Sequence, residues 1–289
     1  MPCGRCRAVA SEREPARIAS ARLVDRAFEL LRWRFRARAV RLGGCHVDRP
    51  ASVIPSPSGE STTPTPLPVS DPLPSGATTE TLATRTQDGP AYIQSYLGVY
   101  ALPDLPPNTA ANFDDAPLPS IGYVLSGTVR WTWDDGFVDV HASEAAATPL
   151  KTFHQSNPGS TTTRWYTFVV YGGSRTAFGA LRRIVQGPPL PVPQPEGAYT
   201  FRLDRLTLEP RGRTAAVSHG GATAVVVLDG DVEVRRPGTH DYLRADTGLT
   251  VGIGGPMQIL NRGSSSAHVL EFFYTPDSKP FETPLSASP

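Results

Sequence analysis

Residues 124–129 read VLSGTV, and residues 227–232 read VLDGDV, 103 positions further along the chain. A second pair of similar stretches, NPGSTTTRWYTFVVY from Asn157 and NRGSSSAHVLEFFY from Asn261, lies 104 positions apart. Two landmarks at nearly the same offset indicate an internal repeat. A repeat of about 100 residues is too long for a solenoid unit and is typical of a duplicated domain. The chain of 289 residues has room for two such domains.

Both copies of the repeat have the pattern of antiparallel β-strands. In the first copy, GYVLSGTVRWTW and FVDVHA flank the turn DDG at 134–136. In the second copy, TAVVVLDGDVEVRR and DYLRA flank the turn PGT at 237–239. Runs of β-forming residues around such turns predict hairpins. Many short strands with Gly, Pro and Asp turns predict an all-β sandwich or barrel.

Segments of different composition precede, separate and follow the two copies. We expect compact domains at 91–184 and 199–277, joined by a proline-rich linker at 185–198. In residues 51–90, 25 of 40 residues are Pro, Ser, Thr or Gly, which predicts a disordered linker because little apolar surface can be buried. Residues 1–50 are a basic leader, and 278–289 form a tail.

The leader contains 12 arginines and 5 acidic residues, although the whole chain has a net charge of only +1. Apolar residues spaced by three and four among these arginines predict one amphipathic helix within 11–42. The helix is typical of a poorly ordered leader or of a membrane-surface segment. The sequence LGGC ending at Cys45 resembles a lipobox, but no uninterrupted apolar core precedes it. Two locations follow: cytoplasmic, or exported as a lipoprotein through Cys45.

Several function classes are excluded by the sequence. No apolar run of about 18 residues occurs, so no transmembrane segment is expected. Residues 51–289 have more acidic than basic residues and no basic stripe, which argues against a nucleic-acid partner. No glycine-rich phosphate loop or nucleophile elbow is present. All three cysteines lie in the first 45 residues, so no disulfide is expected in the repeat.

The spacing of the repeat resembles the two sequence motifs of the cupin family, and the duplication resembles a bicupin. The first motif is a glycine, a His-x-His pair, a glutamate and a glycine. The second is a glycine, Pro-x-Gly, a histidine and an asparagine. The resemblance covers about residues 91–275. It implies an all-β fold of two tandem cupin-like jelly-roll β-barrels, preceded by the disordered Pro/Ser/Thr-rich segment, and it implies a divalent metal held by the histidines and the glutamate.

Both copies keep the spacing of these motifs but have lost most of the ligands. In the first copy Asp114 takes the place of the first histidine, and only His154 is kept. In the second copy only His219 is kept, since Thr223 stands at the glutamate position and Met257 at that of the last histidine. One imidazole per barrel does not hold a divalent ion. The motifs therefore predict two dismantled metal sites and no cofactor.

The predicted function is non-catalytic, and no catalytic residue is assigned. The barrels are expected to bind a small organic ligand or to act as a structural pair, and the resemblance implies a homodimer. Aromatic, histidine and methionine side chains expected inside the barrels are the candidate ligand-binding residues: His154, Trp131, Trp133, Tyr166, His219, Met257 and His268. Barrel interiors also need large side chains for packing, which is the alternative role of the aromatic residues.

The alternative function is a metal-dependent enzyme, a dioxygenase or an isomerase, with a rebuilt site in the first barrel. Its candidate ligands are His154, Asp114 and His141, because two histidines and one carboxylate are a ligand set of non-haem iron enzymes. Its cofactor would be one divalent ion of Fe, Mn, Ni, Cu or Zn. This hypothesis requires the three side chains to converge inside the first barrel.

Overall fold

The structure is a computed structural model, and its regular elements are all β-strands. It describes residues 73–89, 95–115 (the backbone alone at 112–115), 118–172, 181–190 and 196–285. The predicted leader helix at 11–42 and the lipobox at Cys45 lie outside these residues. None of the described segments is a helix that could cross a membrane.

The strands follow the two copies of the repeat. The first copy and the segment before it contain β1 (Ser75–Asp88), β2 (Ser95–Ala101), β3 (Thr109–Asp115), β4 (Ser120–Ser126), β5 (Thr128–Trp133), β6 (Gly136–His141), β7 (Ala145–Ala147), β8 (Phe153–Asn157), β9 (Arg164–Gly172) and β10 (Arg182–Pro189). The second copy contains β11 (Ala198–Arg213), β12 (Val217–His219), β13 (Ala222–Asp229), β14 (Asp231–Arg236), β15 (Thr239–Arg244), β16 (Gly248–Val251), β17 (Pro256–Asn261), β18 (Ala267–Pro276) and β19 (Glu282–Pro284).

Two sheets of the first copy enclose barrel 1, which consists of β2–β10. Their strand orders are β10-β2-β9-β4-β7 and β3-β8-β5-β6. Alternate side chains along each strand point between the sheets, because successive residues of a strand face opposite sides. Trp131, Phe153 and Trp165 meet there in one buried cluster. Barrel 1 therefore has an aromatic core of its own.

Barrel 2 consists of β11–β19 and is built around one nearly closed sheet. Its main strand order is β15-β14-β17-β11-β18-β13-β16, and the short strand β12 pairs with both β17 and β19. The inward positions of β11, β13 and β18 include Leu206, Val225 and Val269, which are fully buried in one apolar cluster. This cluster fills one end of the barrel interior.

A third apolar core joins the two barrels. The strand faces that point away from the barrel interiors pack against one another, and the Phe168 and Phe272 ring centroids lie 5.5 Å apart. Tyr199 and Tyr274 stack in the same core at 4.6 Å. Each fully buried large apolar side chain contributes about 1.5–3 kcal/mol. Buried apolar packing therefore stabilises the contact between the barrels, as it stabilises the interior of each barrel.

Left-handed backbone conformations recur at equivalent positions of the two copies. Positive φ angles occur at Gly127 and Gly230, and also at the non-glycine pairs Asn108 with Arg211 and Ser143 with Asp246. Each pair lies 103 positions apart, and the non-glycine residues stand where the two motifs have their first glycines. Such conformations are unfavourable outside glycine and mark turns that the fold requires. The predicted all-β fold with two tandem barrels on one plan is confirmed.

The motif asparagines make the same contacts in both barrels. Asn157 donates through Nδ2 to the carbonyls of Leu105 and Thr161, and its Oδ1 accepts from Gly159 N–H. Asn261 donates to the carbonyls of Leu208, Glu209 and Ser265, and its Oδ1 accepts from Gly263 N–H. Each asparagine fixes the turn that leads into the last strand of its barrel.

Three strands extend beyond the predicted boundaries of the two domains. β1 lies within the predicted disordered linker 51–90, and it pairs with β11 from Ser75 to Asp88. The linker prediction is wrong for this stretch, because its many threonines are good strand formers and gain a partner strand. β10 crosses the predicted boundary at residues 184–185. β19 lies in the predicted tail 278–289 and pairs with β12.

Candidate metal centre in barrel 2

One end of the barrel 2 interior is polar. The alternation that points Leu206 and Val269 inward also points Asp204 of β11 and Glu271 of β18 inward. These two acids are direct cross-strand partners, and they are 2% and 5% exposed. Thr223 of β13, at the motif position of the glutamate, is fully buried beside them, and no hydrogen-bond partner contacts its hydroxyl. Polar groups therefore occupy the space where the motif would place metal ligands.

His219 ends β12 inside this polar region. Its Nδ1 lies 3.1 Å from the Gly255 carbonyl oxygen, and its ring stacks on Phe273 at 5.9 Å. Its Nε2 is buried, and none of the residues that the structure describes forms a hydrogen bond with it. Since Nδ1 faces a carbonyl acceptor, Nδ1 carries the proton of the neutral ring and Nε2 has a lone pair available. Burial lowers the pKa of His219, which favours this neutral, ligand-competent form.

Glu282 reaches the same region from β19. It is the direct partner of His219 in the β12–β19 pair, and its Oε1 lies 4.0 Å from His219 Nε2. The Gly220 N–H donates to the Phe281 carbonyl at 3.1 Å, which fixes the approach of the segment. The side chain of Glu282 is 38% exposed. The site is therefore open to solvent on this side.

His219, Glu271 and Glu282 form one compact donor set. One ligand atom from each residue lies within 4.8 Å of the other two. Arg202 is the cation that the contacts bring to this region, and its guanidinium pairs with Asp204 at 2.8 Å. It also lies 4.7 Å from the ring of Phe273 and 3.8 Å from that of Phe281. Three carboxylates thus face one guanidinium.

This excess of negative charge affects the titration of the acids. Burial raises the pKa of Glu271 to about 8, and the charges of Glu282 and Asp204 contribute to the same rise. Burial also raises the pKa of Asp204 and of Glu282. Desolvation is the larger cause of these shifts, and repulsion between the carboxylates adds to it at Glu271 and Glu282. A divalent cation between His219, Glu271 and Glu282 would stabilise the ionised forms.

The other predicted residues of barrel 2 lie elsewhere. Met257 is buried in the apolar cluster of the interior. His268 is half-exposed and pairs with Asp229 through Nδ1 at 2.9 Å. It shares its strand face with Leu270 and Phe272, as predicted, but this face packs between the barrels. The expectation that His268 points towards His219 is therefore wrong.

The rebuilt site predicted for barrel 1 is not assembled by its histidines. His154 is exposed between the buried residues Phe153 and Gln155 of β8, so the expectation that it lies inside the barrel is wrong. His141 is exposed on β6, where its Nδ1 lies 3.1 Å from Thr128 Oγ1. On β8, His154 lies opposite Thr132 of β5, and on β6, His141 lies opposite Thr128 of β5. The two histidines thus lie opposite positions that are four residues apart along β5. The backbone of Asp114 pairs with that of His154, and its side chain is not among the described ones.

The misplacement of His154 has a simple cause. The two motif asparagines are equivalent in the structure, and the buried residue four positions before Asn261 is Met257. Four positions before Asn157 is Phe153, which is also buried and inward. The one-residue difference between the copies therefore lies before β8. Counting back from the asparagine, rather than forward from Ser143, identifies Phe153 as the residue at the ligand position.

The predicted aromatic residues of barrel 1 have three different surroundings. Trp131 is buried inside the barrel and lines a cavity of about 50 Å³ together with Ser120 and Gln155. Trp133 is half-buried at the edge of the same core. Tyr166 faces the core between the barrels, and its hydroxyl donates to Asp246. Of these three residues, Trp131 alone lines the cavity.

Comparison with known proteins is informative at the level of fold. No family model and no curated protein sequence matches the chain. Among solved structures, a point mutant of the oxalate decarboxylase OxdC from Bacillus subtilis is similar with a TM-score of 0.50 and 11% identity, over 69% of this chain and 79% of that one. AerE from Microcystis aeruginosa matches with a TM-score of 0.46 and 13% identity, over 70% and 97%. A salicylate 1,2-dioxygenase from Pseudaminobacter salicylatoxidans matches with a TM-score of 0.42 and 15% identity, over 62% and 70%.

The oxalate decarboxylase match and the observed topology define the fold. The chain has the fold of the cupin superfamily, with two cupin barrels in tandem, as the sequence motifs predicted. Identities this low establish the fold and leave the activity to be argued from the site.

Proposed function

We propose that this protein is a metal-dependent enzyme of the bicupin fold, with one divalent cation bound by His219, Glu271 and Glu282 in barrel 2. The buried Nε2 of His219 carries the proposal, because it has no hydrogen-bond partner and faces two carboxylates. A buried polar atom without a partner normally costs stability. A metal ion would satisfy the nitrogen and both acids together.

One divalent ion would bind all three groups at once. Protonation would instead neutralise Glu271 and Glu282 one at a time, and a protonated carboxyl would donate to His219 Nε2. One imidazole and two carboxylates form a mixed nitrogen and oxygen donor set, which suits Mn²⁺ or Fe²⁺ better than the softer copper ions. The oxalate decarboxylase of Bacillus subtilis, which has a similar fold, contains Mn(II) centres. We therefore propose Mn²⁺ or Fe²⁺ as the resident ion.

The openness of the site favours a catalytic role over a structural one. Structural metal sites are usually closed by four protein ligands, whereas catalytic sites keep a position for substrate. Here three protein donors converge, and Glu282 is 38% exposed. A metal ion bound there would supply Lewis-acid activation of an oxygen atom of water or of a small substrate. The predicted dioxygenase or isomerase activity thus becomes a proposal for barrel 2.

Within such a site the protein's own residues have distinct roles. Gly255 holds the His219 ring through Nδ1, so that Nε2 stays aimed at the carboxylates. Arg202 forms an ion pair with Asp204, and its charge also acts on Glu271 and Glu282. Phe281, the residue before Glu282, packs against the guanidinium of Arg202. This contact positions the Glu282 carboxylate.

Manganese binding tests the proposal. Titration of the metal-depleted protein with Mn²⁺, followed by the electron paramagnetic resonance signal of free Mn²⁺, should show one site per chain. His219→Ala, Glu271→Gln and Glu282→Gln should each weaken binding by roughly 100-fold or more, since even residues that only orient ligands change affinity by about 10–100-fold. His268→Ala and Glu196→Gln lie outside the site and are the matched controls.

Two outcomes would refute the metal centre. One is the absence of a saturable site in the folded wild-type protein. The other is equal Mn²⁺ affinity in the wild type and His219→Ala. Fe²⁺ and Zn²⁺ are tested in competition with Mn²⁺, so that the ion preference is measured in the same experiment.

The binding of a small organic ligand, predicted from the sequence, is a second proposal. It concerns barrel 1, but the cavity of about 50 Å³ beside Trp131 is far too small to be its site. A homodimer likewise remains a proposal, and sedimentation at two protein concentrations tests it.

A further inference from the structure

We infer that barrel 1 carries a binding site for a small organic monocarboxylate, at a surface cavity bordered by Arg164 and Arg182. The cavity has a volume of about 270 Å³. This site deepens the small-ligand proposal for barrel 1 and is independent of the metal centre in barrel 2.

The cavity has an apolar floor and a charged rim. Leu102, Leu125 and Trp165 form the floor, and Trp165 is almost fully buried. Arg164 at the start of β9 and Arg182 at the start of β10 line the rim, together with Asp104. An apolar floor with a few convergent polar groups is typical of small-molecule sites. A ligand that fits should therefore have an apolar body and one polar end.

The two arginines are weakly engaged by the protein. Arg164 Nε lies 3.3 Å from Asp104 Oδ1. Arg182 contacts Asp246 Oδ2 at 3.3 Å and also hydrogen-bonds the Tyr166 side chain. The Asp246 carboxylate also accepts the Tyr166 hydroxyl, so it is shared. Both arginine side chains are half-exposed, and exposed ion pairs contribute little to stability. Each guanidinium has five N–H donors, and the contacts given for the described residues use only some of them.

Charge and size select the ligand class. A carboxylate accepts two parallel hydrogen bonds from a guanidinium, which matches the free donors of these arginines. Asp104 and Asp246 already pair with the two arginines, so the site has little net positive charge to attract a polyanion. A single carboxylate would bind by taking the place of one long ion pair. The volume of about 270 Å³ lies just below the range of about 300–1,000 Å³ that is usual for drug-sized ligands, which suits a single ring or a short chain.

Fluorine NMR with para-fluorobenzoate tests this site in the full chain. We expect saturable binding near or below about 1 mM, and no binding of the neutral analogue para-fluorobenzamide. Arg182→Gln and Arg164→Gln should each weaken binding about tenfold, the effect of one charge-assisted contact. Arg183→Gln is the matched control, because Arg183 bonds Gln186 and does not line the cavity.

Three results would overturn the inference: no binding of para-fluorobenzoate, equal binding of the amide, or unchanged binding in Arg182→Gln. A circular dichroism spectrum of each variant excludes misfolding as the cause of lost binding. His219→Ala should bind para-fluorobenzoate like the wild type. Failure of the metal centre would leave this result unchanged, so the two proposals fail separately.

Discussion

His219 and Glu282 lie directly opposite each other where β12 pairs with β19, and His219 Nε2 is 4.0 Å from Glu282 Oε1. One of these residues belongs to the cupin motif, and the other comes from a segment beyond the last long barrel strand. The candidate metal centre therefore depends on the C-terminal residues. The pairing of β12 with β19 brings the Glu282 carboxylate beside the imidazole of His219.

Removal of residues 279–289 should abolish metal binding while the barrels stay folded. The deletion takes away Glu282 and Phe281 but leaves the paired strands β11, β13 and β18 intact. We expect the Mn²⁺ affinity to fall by roughly 100-fold or more. Deletion of residues 286–289 keeps all three ligands and should bind Mn²⁺ normally. Equal binding in both truncated proteins would contradict the role of Glu282.

Substitution of Gly122 should destabilise barrel 1. A Cβ atom at Gly122 would lie 2.6 Å from Cζ2 of Trp131, a distance that the buried indole cannot relieve without moving. Overpacking of this kind costs about 1–3 kcal/mol, measured as the free energy of unfolding in urea. Gly252→Ala is the control, since nothing lies within 4 Å of its added Cβ. A Gly122→Ala protein as stable as this control would show that the Trp131 position is wrong.

The two motif asparagines should be equally important for stability. Asn157→Ala and Asn261→Ala each remove at least two hydrogen bonds to backbone carbonyls and one from a backbone N–H. A hydrogen bond contributes about 0.5–1.5 kcal/mol, so each variant should lose about 1.5–4 kcal/mol in chemical denaturation. Equivalent roles in the two barrels predict losses within about 1 kcal/mol of each other. A neutral substitution at either position would argue against the shared architecture.

Glu233 of β14 makes the stability of barrel 2 dependent on pH. Burial alone would raise the pKa of Glu233, but hydrogen bonds from Arg235, His240 and Arg262 outweigh it and lower the pKa to about 2. Because the folded-state pKa lies below that of the unfolded chain, the stabilisation is present above about pH 5 and is lost as the pH falls towards 2. Glu233→Gln should lose about 3 kcal/mol at neutral pH, because it leaves the cations without their buried anion.

Urea denaturation of the wild type and Glu233→Gln at several pH values measures this effect. The difference in unfolding free energy should shrink as the pH falls from 5 to about 2, since the wild-type carboxyl then becomes neutral as well. A difference that stays constant with pH would mean that the charge of Glu233 is unimportant.

The fold could be predicted from the sequence because the residues that reveal the repeat are those that determine the backbone conformation of its turns. Gly127 and Gly230 adopt positive φ, and Asn157 and Asn261 hold equivalent turns, so these residues keep their spacing while the side chains between them vary. The strand β1 was missed because its pairing with β11 joins residues more than 100 positions apart. No local pattern indicates such a pairing.

The site was only partly accessible. His219 was predicted from its motif position, and Glu271 could have been found, since an acid within the apolar run AHVLEFFY must lie on one of two buried faces. Glu282 had no sequence signal, because its role depends on the pairing of β19 with β12. His154 was misassigned by one residue, and a shift of one residue moves a strand side chain to the other face.

Anomalous diffraction from crystals grown with Mn²⁺, recorded at the manganese absorption edge, tests the central claim most directly. The account predicts one peak per chain, bound by His219 Nε2 and by carboxylate oxygens of Glu271 and Glu282. A barrel 2 interior without a peak, with Glu271 and Glu282 hydrogen-bonded only to each other or to water, would contradict it.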